Sequence, residues 1–158
     1  MTKYLEHLNP LGYYEAIPKP TPIELERHYS EKYYQHAQGT YSSQYLAEEL
    51  RYFNNIAAVA LETARRLDLE KSLYDLGCGE GFFTKSFYEA KWKVACCDFS
   101  AFGISKHNKD MLPYFSSGDI FKQVKDAIQN EKRFGLINLQ NVLEHVIDPV
   151  ELLLDLKV

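Results

Sequence analysis

The chain has 158 residues, 46% of them hydrophobic and 25% charged, and its 18 basic and 22 acidic side chains give a formal charge of -4. That length suits one domain around one core, and the acidic balance disfavours a dedicated nucleic-acid binder. No run approaches the roughly 18 apolar residues that cross a bilayer, and a start carrying Glu6, Asn9 and Glu15 makes a poor signal peptide, so a cytoplasmic protein is expected.

The first forty-odd residues do not read as packed regular structure. Four prolines fall between Pro10 and Pro22, each fixing φ and removing a backbone donor. Nine of the twelve tyrosines lie at or before Tyr52. So many large rings are expected to pack over something, either the domain surface or a ligand. Residues 1–42 are therefore read as an irregular segment and candidate lid, and 43–158 as the folded domain.

From Tyr45 the period changes. Leu46, Leu50, Phe53, Ala57, Ala60, Ala64 and Leu67 recur at three- and four-residue steps, which predicts an amphipathic helix with Ser43 as candidate N-cap. The chain then alternates. LYDL (73–76) predicts a short buried strand and FFTKSFYEA (82–90) a helix, followed by the strand KVACC and a helix from Ala101 to about Asp110. A strand at PYFSS, a helix across IFKQVKDAIQN, the strand FGLINL and a last helix from about Leu143 to Leu156 complete the series. Short strands alternating with helices give βαβ units, hence an α/β, Rossmann-like, mostly parallel sheet with helices on both faces.

The three cysteines, Cys78, Cys96 and Cys97, make a poor disulfide framework and lack the CxxC spacing of a metal site. Cys96 and Cys97 read as small buried side chains. The last helix carries LLLDLKV, apolar nearly all round, and such a helix expects more protein about it. The fold is thus expected to be truncated after its fourth strand and helix, leaving FGLINL as a sheet edge through which copies self-associate.

The stretch SLYDLGCGEGFFTKSF combines strand, glycine loop and helix, the arrangement by which open α/β sheets bind nucleotides at strand carboxyl ends. A dinucleotide fingerprint wants a small residue where Phe82 stands, and no GxxxxGK[ST] occurs. The pattern is DxGxGxG, with Asp75 two residues before Gly77. An acid there repels a pyrophosphate and suits an ammonium or hydroxyl groups.

LYDLGCGEG resembles motif I of the class I S-adenosylmethionine-dependent methyltransferases. The resemblance continues through VACCDFS, SSGDI and FGLINLQNVLEHVIDP, and covers roughly Tyr33 to the C-terminus. It implies S-adenosyl-L-methionine as cofactor, with Gly77, Cys78 and Gly79 holding the methionine portion and Asp75 near its ammonium. It further implies that Asp98 accepts hydrogen bonds from the ribose, that Phe99 and Ile120 pack on the adenine, that Asp119 meets the adenine amino group, and that Gln140 contacts the cofactor. Either acid could instead cap the helix that follows it. Tyr33, Tyr34, His36, Tyr41 and Tyr45 become candidate lid residues, with Tyr41 assigned to the methionine end.

His145 is the candidate base, because an imidazole titrates near neutrality. Some related enzymes bind a divalent ion through ExxEH on this turn. Here Glu144 and His145 match but Asn141 replaces the first carboxylate, so no metal is expected. A structural role for Glu144 and His145 at the helix start is the competing reading. The implied activity is methyl transfer to a small-molecule acceptor. The alternative is a domain that binds S-adenosylmethionine without turnover, or a scaffold, and a nucleotide-binding oxidoreductase is disfavoured by Phe82 and Asp75.

Overall fold

Prolines shape the first segment rather than dissolve it. The structure, a computed structural model, describes residues 5–28 and 44–157. Strands β1 (Leu5–Leu8) and β2 (Tyr14–Ile17) form an antiparallel hairpin with Leu5 opposite Ile17 and Leu8 opposite Tyr14. Its turn contains Pro10 and is closed by Asn9, whose Oδ1 accepts from the Leu11 N–H at 2.9 Å and whose own N–H reaches the Tyr13 carbonyl at 2.8 Å. Pro22 opens helix α1 (Pro22–Arg27), where no backbone donor is needed. Thr21 caps that helix, and Glu24 answers by accepting from the Thr21 N–H at 2.8 Å. The expectation of an irregular segment therefore fails over residues 5–27, because Pro10 and Pro22 fall at a turn and a helix start.

Helix α2 (Ala47–Arg66) buries Ala57 and Ala64, with Phe53, Ala60 and Leu61 partly covered. Leu46, Leu50 and Leu67, which extend the stripe in sequence, are exposed. Ser43 lies outside the described residues; the helix instead starts at Leu46, whose N–H donates to Glu49 Oε2 at 2.7 Å.

Beyond α2 come β3 (Ser72–Leu76), α3 (Phe82–Glu89), β4 (Lys93–Asp98), α4 (Phe102–His107), β5 (Phe115–Ser117), α5 (Ile120–Gln129), β6 (Leu136–Asn138) and α6 (Pro149–Asp155). The sheet order is β5-β4-β3-β6 and every pairing is parallel. All of β3 is buried, as expected of a strand covered on both faces. Leu73 packs with Ala57, Ala64, Phe87 and Trp92 beneath α2 and α3. Tyr74 and Leu76 join Ile120, Val124 and Leu152 beneath α5 and α6. This is the expected Rossmann-like α/β fold.

The chain runs outward from β3 through β4 to β5, then returns to place β6 on the other side of β3. A topological switch point results, and the crevice for a ligand opens at the carboxyl ends of β3 and β6. The glycine loop leaves β3 at that place. Among the described residues β6 forms one edge of the sheet.

Two helix boundaries differ from those expected. The helix predicted over 101–110 stops at His107 and becomes a 3-10 turn over Lys109–Tyr114 that contains Pro113. The helix predicted from Leu143 is split into a 3-10 turn (Leu143–His145) and α6. Pro149 accounts for the break, since it disfavours helical backbone before it and provides an N1 residue after it. Asp148 caps α6, its Oδ1 accepting from the N–H groups of Val150 and Glu151 at 3.1 and 2.9 Å.

Candidate functional site

The glycines of the loop answer to the chain itself as well as to any ligand. Gly77, Gly79 and Gly81 have φ of +75°, +54° and +77°, a region that L side chains rarely adopt. A Cβ on Gly77 would stand 2.5 Å from Val142 Cγ2, in the turn that follows β6. One on Gly81 would stand 2.9 Å from Ile104 Cγ1 of α4. The loop is thus pressed between β6's turn and α4. The Gly77 and Cys78 N–H groups both donate to the Cys97 carbonyl, at 2.9 and 3.0 Å. Cys78 is half-buried, and a hydrogen bond with Cys96, followed by burial, pushes its thiol well up. Burial likewise raises Cys97 to about 12, so the thiols are packing groups rather than nucleophiles.

Asp75 lies beneath this loop, not on its surface. Only 1% exposed, it receives the Thr84 hydroxyl at 2.6 Å on Oδ2 and the Asn138 amide at 2.7 Å on Oδ1. Burial raises its pKa, the two hydrogen bonds oppose that, and Asp98 adds to it. Its carboxylate ties β3 to α3 and β6 beneath the loop. Thr84 and Asn138 were not anticipated, although a polar Asn inside the apolar strand FGLINL is the kind of signal that marks a buried partner.

Asp98, at the end of β4, accepts from the Gly79 N–H at 3.0 Å through Oδ2 and from the Ser100 N–H at 3.3 Å through Oδ1. It does not cap α4, whose N-cap is Ala101 with no side-chain bond. Asp119 does cap α5, its Oδ1 accepting from the Lys122 N–H at 3.0 Å. Phe99, Asp119 and buried Ile120 line a cavity of about 340 Å³, to which Pro22 and Leu25 of the N-terminal segment also contribute. Two apolar faces with a carboxylate at the rim fit a flat heteroaromatic ring bearing an amino group, and the acceptor-only carboxylate of Asp98 fits hydroxyl donors.

Gln140 is half-buried in the turn after β6. Glu144 and His145 are exposed on the 3-10 turn, where the His145 N–H donates to the Val142 carbonyl at 2.9 Å. His145 lines the cavity described above and also a larger one of about 930 Å³, between the hairpin and α1 on one side and residues 143–153 on the other. Tyr13, Tyr14, Lys19 and Arg27 face that larger space with Glu144 and Leu153. Among the described residues no three His, Cys, Asp or Glu side chains stand together as a metal site. Tyr41 lies outside the described residues, as do Tyr33, Tyr34 and His36.

One acidic residue of the loop was overlooked in the sequence. Glu80, inside GCGEG, accepts a hydrogen bond from the Tyr45 hydroxyl, and its backbone carbonyl accepts from Asn108 Nδ2 at 2.7 Å. Tyr45 lies edge-on to Phe82, the residue that broke the dinucleotide pattern, with ring centroids 5.4 Å apart. Phe82 stacks on Phe53 of α2 at 5.0 Å. A large ring at position 82 therefore serves packing against α2.

A family model described as a methyltransferase domain matches residues 33–157. No curated protein matches the chain. Among the described residues no helix is long and apolar enough to cross a membrane. With its parallel β5-β4-β3-β6 sheet, its glycine loop at the switch point and a match over most of its length, the chain belongs to the class I S-adenosylmethionine-dependent methyltransferase family.

Proposed function

We propose that this protein binds S-adenosyl-L-methionine at the carboxyl ends of β3, β4 and β5 and transfers its methyl group to a small-molecule acceptor. The observation that carries this reading is Asp98, whose carboxylate is oriented by the Gly79 and Ser100 N–H groups at the mouth of the glycine loop. Asp98 receives the ribose hydroxyls. Phe99 and Ile120 flank the adenine, and Asp119 accepts from its amino group. The backbone of Gly77, Cys78 and Gly79, with Gln140 across the crevice, holds the methionine portion, and Asp75 acts on it from below through the loop it anchors.

S-adenosylmethionine supplies a methyl group already activated on sulfur. The chain's own contribution is alignment, exclusion of water and, for an oxygen or nitrogen nucleophile, removal of a proton. We assign that proton to His145, because its side chain borders both cavities. The acceptor occupies the larger one, between the N-terminal hairpin and the turn after β6.

Calorimetric titration tests the reading. Saturable binding of S-adenosylmethionine and of its demethylated product, with none of NADH, is the expected result. Binding of NADH alone would overturn the assignment. Donor binding with no methyl transfer to any acceptor, by the complete protein, would favour a non-catalytic binding domain.

A further inference from the structure

Tyr45 reaches the glycine loop from outside the βαβ unit that forms it. It stands just before α2, 35 residues from Glu80, and its hydroxyl donates to Glu80 Oε1. Its ring is held edge-on by Phe53, Phe82 and His107, with centroids 5.4, 5.4 and 5.1 Å away. Glu80 is thereby held at two points, by Asn108 through its carbonyl and by Tyr45 through its carboxylate. Its neighbour Gly79 donates the N–H that orients Asp98. The Asn108 and Asp98 bonds come from the end of α4 and the end of β4, both part of the sheet region that carries the loop. The Tyr45 bond alone of these three is contributed by the segment leading into α2.

We infer that Tyr45 and Glu80 are a positioning pair for the donor site, fixing Gly79 and, through its N–H, the carboxylate of Asp98. Donor affinity then depends on a hydroxyl supplied by the segment that precedes α2. The inference rests on the function proposed above. Packing of the Tyr45 ring alone would leave donor affinity indifferent to the hydroxyl, so the two accounts separate at a single oxygen atom.

The pair also has a direction with pH. The titratable groups facing Glu80 are Tyr45 from the segment before α2, His107 from α4 and Asp98 from the end of β4. Burial raises the Glu80 pKa, the Tyr45 bond and His107 oppose this, and Asp98 adds to it. Ionised Glu80 accepts a charge-assisted bond from Tyr45, and the protonated acid is a weaker acceptor. Acidification from neutrality therefore loosens the pair before an ordinary glutamate would titrate.

Three proteins should be titrated with S-adenosylmethionine at pH 7.5 and at steps down to about pH 4.5, near the ordinary glutamate value: the wild type, Tyr45→Phe and Glu80→Gln. Tyr45→Phe, which keeps the ring cluster, should weaken binding roughly five- to tenfold at pH 7.5 while the chain still melts cooperatively, at a modestly lower temperature. Glu80→Gln should be weaker than wild type at pH 7.5, and the gap should narrow down the series. Wild-type affinity in Tyr45→Phe, or a Glu80→Gln deficit that stays constant down the series, would overturn the inference. Hydrogen exchange of the Gly79 and Gly81 amides keeps the two proposals apart if the wild type binds no donor. In that event the functional reading fails. The positioning pair then stands if Tyr45→Phe speeds that exchange, and falls if it does not.

Discussion

The two sides of β3 are finished differently. Toward β4, five consecutive residues pair, from Ser72 with Lys93 to Leu76 with Cys97, and the ladder runs on into the loop through the Gly77 and Cys78 N–H groups. Toward β6 only Leu73, Tyr74 and Asp75 pair, and the chain then enters a turn whose Glu144 and His145 are exposed between two cavities. The β4 side is a preorganised cradle in which buried polar groups already have partners. The β6 side is an open surface whose shape is completed by the hairpin and α1. A ligand common to a family can be met by a fixed backbone, whereas an acceptor is met by loops on a rigid frame.

The largest effect on stability is expected where the two sides touch. Gly77→Ala places a Cβ 2.5 Å from Val142 Cγ2 at a φ of +75°. It should lower stability by about 2–4 kcal/mol in denaturant melts. Adding Val142→Ala should return part of that loss, and full recovery would show that backbone strain at Gly77 contributes nothing.

Next comes Asp75→Ala, which leaves the buried Thr84 hydroxyl and Asn138 amide without their acceptor and should cost about 2–3 kcal/mol. Its pH dependence has a definite sign. The folded-state pKa is raised above that of the unfolded chain, so folding takes up a proton in the window between the two values. The stability this contributes is full below the unfolded value near 3.9 and is lost as pH rises through the folded one. Relative to Asp75→Asn, the wild type should therefore gain stability on acidification. A parallel pH dependence of the two proteins would contradict the raised pKa.

On the β6 side the effects are smaller. Asp148→Ala removes the cap of α6 and should cost about 1 kcal/mol. His145→Asn should reduce methyl transfer by about a hundredfold if it is the base, a larger change than any it makes to the melt. Loss of stability with unchanged transfer would reverse the roles given to the two sides.

What could be read from sequence follows the range of the interactions. Helix periodicity, the alternation of short strands with helices, and the acids at Asp98 and Asp119 are local, and the structure has the elements in the expected order. The cap at Asp119 was one of two readings, and the geometry has it capping α5 while its carboxylate also rims the smaller cavity. The inward turn of Asp75 was only faintly legible, in an acid within the buried strand LYDL and an Asn within FGLINL, because the two partners stand 63 residues apart. The bond between Tyr45 and Glu80 is equally remote. The hairpin was hidden by reading proline as a breaker, when Pro10 and Pro22 mark where elements turn and start. The break before α6 was legible in Pro149, and the apolar run LLLDL obscured it.

In the function proposed above, the mouth of the glycine loop is a donor site organised around Asp98. Calorimetric titration of S-adenosylmethionine into wild type and Asp98→Ala tests it most directly. Saturable binding by the wild type is expected and, for Asp98→Ala, a loss of about 2–3 kcal/mol, some thirty- to hundredfold or more, from the missing charge-assisted bonds. Equal affinity in the two proteins, or no binding by the wild type, would contradict it.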